Sequence, residues 1–314
     1  QSAIRAERVC RPIRFGPQRI SGDAPLARIV VIGSAAHDET IRLAEPLQAD
    51  AHLNGILEGV RLGGGGANTA VALAAAGHEV TLLAAVGRDA AGDAVLADLV
   101  AAGIDTTSIS RLDQPTTRSL ILIDPTGERT VINVARCEAD TPPDRLRTLP
   151  ADVVYVRSRR RDLAPLLATK AAKALIVAHL PPVEPGIRPA HVLIASSADL
   201  DAAAIQNPGM LGLATSGGLA RWVVITAGAA GARAYAAREM LAVNARCVRP
   251  VDTTGAGDAF AAGLIHALIE GQPMADALET AVRFGTEATL WPTSGLPASA
   301  VQHLLQNNPP GNPA

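Results

Sequence analysis

Aromatic residues are scarce in this chain: three Phe, two Tyr and two Trp in 314 residues. Little is therefore available to stack on bases, and a core must be built from alanine and branched aliphatics. Lysine is almost missing as well. Only Lys170 and Lys173 are present, so the positive charge is carried by arginine, and the formal net charge is −2. Proteins that wrap nucleic acid carry a basic surplus, which is lacking here, so no nucleic-acid partner is expected. The three cysteines, Cys10, Cys137 and Cys247, are widely spaced and form no CxxC pair. That excludes a disulfide framework and a zinc ribbon and fits a reducing cytoplasm. The seven histidines form no HExxH. No apolar run approaches the ~18–20 residues that span a bilayer, so no membrane partner is expected. No Gly-Lys-Ser/Thr occurs, which excludes a P-loop. A hydrophobic content of 48% nevertheless excludes a disordered chain.

Residues 1–27 stand apart. Five arginines lie there among Pro and Gly with no apolar core segment, so a peripheral extension is expected, not a secretory signal. From Arg28 onward the pattern becomes regular. Arg28-Ile-Val-Val-Ile-Gly33 reads as a buried strand, Ala67–Ala76 as a small-residue helix, Val80–Val86 as a strand and Asp93–Ala102 as a helix ended by Gly103. Residues 119–124 and 129–134 flank Asp124-Pro125-Thr126-Gly127, a hairpin signal. Beyond residue 150, strands at Val153–Val156, Ala174–Ala178, Val192–Ala195 and Trp222–Thr226 alternate with helical segments such as Leu163–Lys173. Residues 259–270 and 274–290 read as two further helices. Alternation of this kind predicts a mostly parallel sheet flanked by helices. The hairpin-like zones 37–62 and 113–134 are too small for independent domains and predict a small β-strand lid. The expected organisation is one α/β domain over 28–306, with a tail at 307–314.

Two motifs carry chemistry. The sharper is Asp252-Thr253-Thr254-Gly255-Ala256-Gly257-Asp258, opening directly into a helix. Its glycines admit a tight turn and close approach of an anion, and the helix dipole aims free amides at one spot. Such a spot stabilises a phosphoryl group in transit. A carboxylate there would repel phosphate unless it takes a proton from an attacking hydroxyl, the role expected of Asp258. A bare Gly-x-Gly-Asp is as compatible with an ordinary helix cap; the seven-residue run favours the catalytic reading. The second motif is Gly63-Gly64-Gly65-Gly66-Ala67-Asn68, again at a helix start. It is no dinucleotide fingerprint, because the first strand leads instead into Ser34-Ala35-Ala36-His37-Asp38.

Together these motifs resemble the paired signatures of the ribokinase-like (PfkB) carbohydrate kinases. One is similar to Gly63–Asn68 continuing through Val86-Gly87-Arg88-Asp89-Ala90-Ala91-Gly92, the other to Asp252–Gly263. The resemblance covers roughly residues 28–304. It implies a ribokinase-like α/β fold with a lid that excludes water, and transfer of a phosphoryl group from ATP, with Mg²⁺, to a sugar hydroxyl. By resemblance, Asp258 is the base and Gly255, Ala256 and Gly257 are the anion hole. Asp38, Gly64 and Asn68 contact the sugar, and Thr226, Gly228 and Gly231 form the nucleotide turn. Asp252 and Thr254 resemble part of a monovalent-cation site, for an ion such as K⁺, found in many members.

Three departures matter. Where the family often carries Asn-x-x-Glu, linked to magnesium, this chain has Ser196-Ser197-Ala198-Asp199, so Asp199 stands in for the Glu. After Val153–Val156, where many ribokinases place an acidic or neutral sugar contact, it has Arg157-Ser158-Arg159-Arg160-Arg161. A basic run is usually a solvated loop; the functional reading is that Arg157 meets an anionic group of the substrate. Gly65 replaces a frequent Lys, which argues against simply copying D-ribose. Trp291 is placed near the nucleotide end and His37 beside Asp38. Exposed lid strands would allow a homodimer. A nucleoside kinase on the same fold and a catalytically silent sugar-binding or regulatory protein stay open as alternatives.

Overall fold

The computed structural model describes residues 27–126, 129–180 and 186–307. Residues 1–26 of the expected extension, and the C-terminal tail beyond Asn307, therefore fall outside the described residues. So does Gly127 of the expected hairpin turn. Ala27, the last residue of the expected extension, is instead buried in the core.

In chain order the first strands are β1 (Arg28–Gly33), β2 (Ala36–Leu43) and β3 (Gly55–Gly63), followed by helix α1 (Gly65–Ala75). Then come β4 (Glu79–Leu83), β5 (Ala85–Gly87), α2 (Ala90–Ala101), β6 (Ser110–Leu112), β7 (Arg118–Ile123) and β8 (Arg129–Ala135). The second half runs β9 (Val153–Arg157), α3 (Ala164–Ala171), β10 (Leu175–His179), β11 (Val192–Ser196), α4 (Ala202–Gln206) and α5 (Pro208–Ser216). It closes with β12 (Trp222–Thr226), β13 (Ala232–Tyr235), β14 (Met240–Val243), α6 (Ala256–Ile269), α7 (Met274–Ala288) and α8 (Ala298–Gln306).

The central sheet has eight strands in the order β14-β13-β12-β11-β10-β9-β1-β4. Strands β4 to β12 along that order are parallel, and β13 and β14 add an antiparallel edge. Both faces are covered, as the alternation along β1 and β9 shows. Ile29, Val31, Val153 and Tyr155 join one core cluster with the faces of α1, α6 and α7. Val30, Ile32, Val154 and Val156 join a second with Leu163, Leu166 and Leu167 around α3. With few aromatics, the first cluster is rich in alanine: Ala67, Ala70, Ala259, Ala261, Ala262 and Ala281 are all buried. Small side chains let the helices approach closely, and α1 packs directly on α6.

A second sheet of four strands, β3-β2-β7-β8, forms the lid, with β2 and β7 parallel at its centre. The expected strand over Val80–Val86 is in fact two. It breaks at Ala84, and β5 leaves the main sheet to pair with β6. Helix α2 begins three residues earlier than expected, because Asp89 caps it by accepting from the Gly92 amide.

Strand β1 is flanked by β4 on one side and β9 on the other. The chain connections diverge there, which opens a crevice at the carboxyl ends of β1 and β9. Gly33 and Arg157 face each other across that end.

Candidate active site

The site is assembled where two helix N-termini meet. Gly33 ends β1 without a side chain, and a Cβ there would lie 2.7 Å from Gly66 Cα. The start of α1 therefore sits against the end of β1. From that position Asn68 Nδ2 donates to Asp258 Oδ2 at 3.0 Å, and Thr69 Oγ1 donates to the Asp258 carbonyl at 3.2 Å. Asp258 lies in the first turn of α6 and is buried. Its other oxygen, Oδ1, accepts from Arg157 Nε at 3.1 Å. Gly65 makes that pair possible, since a Cβ there would come within 2.9 Å of both Arg157 Cγ and Asp258 Oδ1.

The turn into α6 is made by Gly255 at φ +73°, the left-handed region. A Cβ on Gly255 would lie 1.8 Å from the Ser294 carbonyl oxygen, so residue 255 must be glycine on both counts. The Asp258 amide is bonded to the Gly255 carbonyl at 3.0 Å, and the Ala256 amide makes only a long 3.4 Å bond to Thr253. The Gly257 amide has no acceptor among the described residues, and the space beside Gly257 is open. One free donor at a helix N-terminus, with the dipole behind it, is suited to an anion.

Asp252 holds the loop from the other side. Its Oδ1 accepts from the Thr254 amide at 2.8 Å, and its Oδ2 from Arg61 Nη2 at 2.9 Å. Arg61 also donates from Nη1 to the Pro292 carbonyl at 2.8 Å. Arg129 donates to Thr254 Oγ1 and lies 3.6 Å from Asp252 Oδ1. Burial raises the Asp252 carboxyl, but the Thr254 and Arg61 hydrogen bonds outweigh it and hold the group below the usual carboxylate range. Both arginines belong to the lid, on β3 and β8.

Asp38 sits on β2, buried, with Oδ1 lacking any hydrogen-bond partner among the described residues. Burial pushes its carboxyl up, against the pull of Ser119 and Arg61. A Cβ at Gly63 would overlap Asp38 Oδ2 at 1.8 Å, so the first glycine of the run makes room for this carboxylate. Ser294 Oγ is a second buried atom without a partner, close enough to Asp38 to affect its protonation. Gly64 takes φ +89° at the cap of α1. Unsatisfied buried oxygens are rare in folded proteins and call for an explanation, of which a ligand or ordered water is one.

Beside Arg157 lies a cleft of about 560 Å³. Its walls include Gly33, Ser34 and Gly65 from the glycine-lined floor and Arg136, Arg157 and Arg159. Neither Arg136 nor Arg159 makes an ion pair among the described residues. Glu138 and Asp144 also line it, but with Arg145 and Arg160 the arginines outnumber them, so the cleft is net basic. Arg160 serves the fold instead, paired to Asp162 at 2.5 Å.

The residues expected to bind nucleotide lie further along the same carboxyl edge of the sheet. Thr226 ends β12, with Oγ1 donating to the Ala195 carbonyl at 3.3 Å. Gly228 (φ +54°) starts the following turn in open space. Gly231 has a packing reason to be glycine, since a Cβ would lie 2.0 Å from the Val243 carbonyl. Asp199 follows β11 in a short 3-10 turn, exposed, and its charge acts on Arg157. Trp291 donates to Glu287 at 3.2 Å, and His37 is part-exposed on β2.

The structure therefore brings together Asp258, Asn68, Arg157 and the glycine run, with Asp38 close to Ser294. Sequence reasoning missed Arg61, Arg129, Arg136 and Ser294. The first three had no local pattern to mark them, and Ser294 lies in a Thr-Ser-Gly stretch that reads as a plain loop. Among the described residues, no group of three His, Cys, Asp or Glu side chains could hold a metal ion. No helix among them is long and apolar enough to cross a membrane.

Residues 26–297 match the family model described as pfkB family carbohydrate kinase. The chain belongs to this family. An ATP-dependent ribose-1-phosphate kinase of Halopiger xanaduensis is 30% identical, over 82% of this chain and 90% of the relative. A ribokinase of Schizosaccharomyces pombe is 28% identical over the same shares of the two chains. Among solved structures, a ribokinase from Giardia lamblia superposes with a TM-score of 0.74 at 21% identity, covering 90% of this chain and 99% of that one. The chain is thus an ATP-dependent carbohydrate kinase with the ribokinase fold.

Proposed function

We propose that the enzyme phosphorylates a hydroxyl of a monosaccharide derivative that carries an anionic group, with Asp258 as general base. One observation supports this most directly: two helix N-termini converge on a single buried carboxylate. Asn68 holds one oxygen of Asp258, and the Gly257 amide beside it is free to take a phosphoryl oxygen. The sugar lies between Gly65 and the lid, beside the basic cleft, with Asp38 Oδ1 accepting from one of its hydroxyls and Ser294 Oγ sharing another. The attacking hydroxyl gives its proton to Asp258 as the γ-phosphoryl group arrives at the 255–258 turn.

The basic cleft supports an anionic substrate. Arg157 blocks Asp258 Oδ1 in this structure, and a carboxylate or phosphate is a competing partner for its guanidinium fork. Such a substrate would draw Arg157 off the base as it binds. The description of the Halopiger relative as a ribose-1-phosphate kinase supports the same reading. ATP spans from this turn to Thr226, Gly228 and Gly231. Asp199 suits Mg²⁺, which binds through one or two carboxylates plus the nucleotide's own phosphates and needs no protein cage. The ion would neutralise charge on the transferred group.

The lid also supports a homodimer. Ile56, Leu57 and Val60 on β3, and Val131, Ile132 and Val134 on β8, are exposed apolar residues on unpaired sheet edges.

The test is ATP turnover across neutral sugars, sugar phosphates, sugar acids and nucleosides, with wild type and Asp258→Asn. Turnover of a sugar phosphate or sugar acid, lost by about 10²–10⁴-fold in the variant, is expected. Wild-type turnover by the variant would remove Asp258 from the role of base.

A further inference from the structure

We propose that this kinase needs no monovalent cation, because the lid residue Arg61 occupies the cation's place beside the phosphate loop. The inference rests on the reading of residues 252–258 as that loop. A cation there would take a carboxylate oxygen from Asp252 and neighbouring backbone carbonyls. One donor of each kind is already taken by Arg61. Arg61 Nη2 binds Asp252 Oδ2 at 2.9 Å and Nη1 binds the Pro292 carbonyl at 2.8 Å. The remaining oxygen, Oδ1, is bonded to the Thr254 amide, and Thr254 Oγ1 is taken by Arg129. Asp252 is 8% exposed, so little of it is open to another ligand. The residues present do not fit a monovalent ion.

Charge reinforces the geometry. One buried carboxylate already faces two guanidiniums, and a third cation would be repelled by both. A guanidinium is also permanently charged, so it supplies the counter-charge at every pH at which the protein is folded. It differs from a free ion in one respect: it is tethered to β3. The loop keeps its counter-charge only while the lid strand is in place, which links lid position to the shape of the anion turn.

The experiment uses the full chain without nucleotide or sugar, so its outcome does not depend on the substrate or on turnover. Thermal unfolding is followed in KCl, RbCl and choline chloride at equal ionic strength. A ligand that binds only the native state raises Tm in a saturable way. Wild type is expected to show the same Tm in all three salts. Arg61→Ala is expected to unfold earlier in choline chloride and to recover saturably with K⁺ or Rb⁺. Arg61→Gln, which keeps the side-chain length and removes the charge, repeats that arm if the alanine variant does not fold. A saturable K⁺ or Rb⁺ stabilisation of wild type overturns the proposal. So does the absence of any K⁺ response in the folded Arg61 variants, which would leave Arg61 as a lid tether beside no cation position.

Discussion

Replacing Asp38 with asparagine should make the free enzyme more stable and a worse catalyst. Asp38 is 6% exposed and leaves Oδ1 without a hydrogen bond. Its folded-state carboxyl is raised by burial. The sign follows from linkage. A raised acid binds its proton more tightly in the native state than in the unfolded chain, so stability is intact below the unfolded value near 4 and is lost as pH rises through the folded value. At neutral pH the buried charge is therefore a net cost. Asparagine keeps the shape and removes the charge, which should recover on the order of 1–2 kcal/mol, less the attraction lost from Arg61 and Ser119. For a chain of this size that is roughly 1.5–3 °C in Tm. The gain should be present at pH 7 and shrink as pH falls toward 4, read by calorimetry on both proteins. The sugar KM should meanwhile rise about tenfold or more, because a buried partner of a substrate hydroxyl has been weakened. A lower Tm at pH 7, or an equal gain at pH 4 and pH 7, would refute the view that Asp38 is held unsatisfied for the ligand.

Two further outcomes follow from the site. Arg157→Ala should raise KM for the anionic substrate by about tenfold or more while leaving turnover of any neutral sugar equal or faster, since Asp258 Oδ1 is no longer covered; equal losses on both would make Arg157 a general positioning residue. Gly65→Ala should lower kcat by about 10²-fold, because the new Cβ would lie 2.9 Å from Asp258 Oδ1 and displace the base from its place beside Asn68; a wild-type kcat would show that this placement of the carboxylate is not needed for catalysis.

Much of the fold could be read along the chain because parallel strands buried on both faces are continuous β-branched runs. Trp222–Thr226 is placed residue for residue. The hairpin β13–β14 was missed because Ala232–Tyr235 and Met240–Val243 are short and interrupted by Arg233, Arg238 and Glu239, which is the pattern of an edge, not a core strand. The break at Ala84 carries no turn residue; only the pairing of β5 with β6 reveals it. At the site, Asp258 and Asn68 were legible because each stands in a glycine motif that fixes its own local backbone. Arg61 and Arg129 were not, since an arginine on an exposed strand looks the same whether it ends in water or on a carboxylate 191 residues away, as Arg61 does. The position of Arg157 was legible, at the end of β9, but its present partner, the base itself, was not.

The pairing at the centre of the lid has a consequence for how the molecule assembles. Strand β2 does not close on its sequence neighbours alone: Asp38 lies opposite Arg61 on β3 and opposite Ser119 on β7. The second pairing joins segments separated by β3, α1, β4, β5, α2 and β6, so it closes a long loop at a correspondingly larger entropic cost. The central pairing of the lid is therefore a non-local closure, unlike the local β2–β3 hairpin. The lid's edge amides on β3 and β8 belong to the least protected class of backbone hydrogen bonds, open to exchange while the central sheet stays intact. The sheet that carries Asp38 and Arg61 thus depends for its central pairing on elements outside itself.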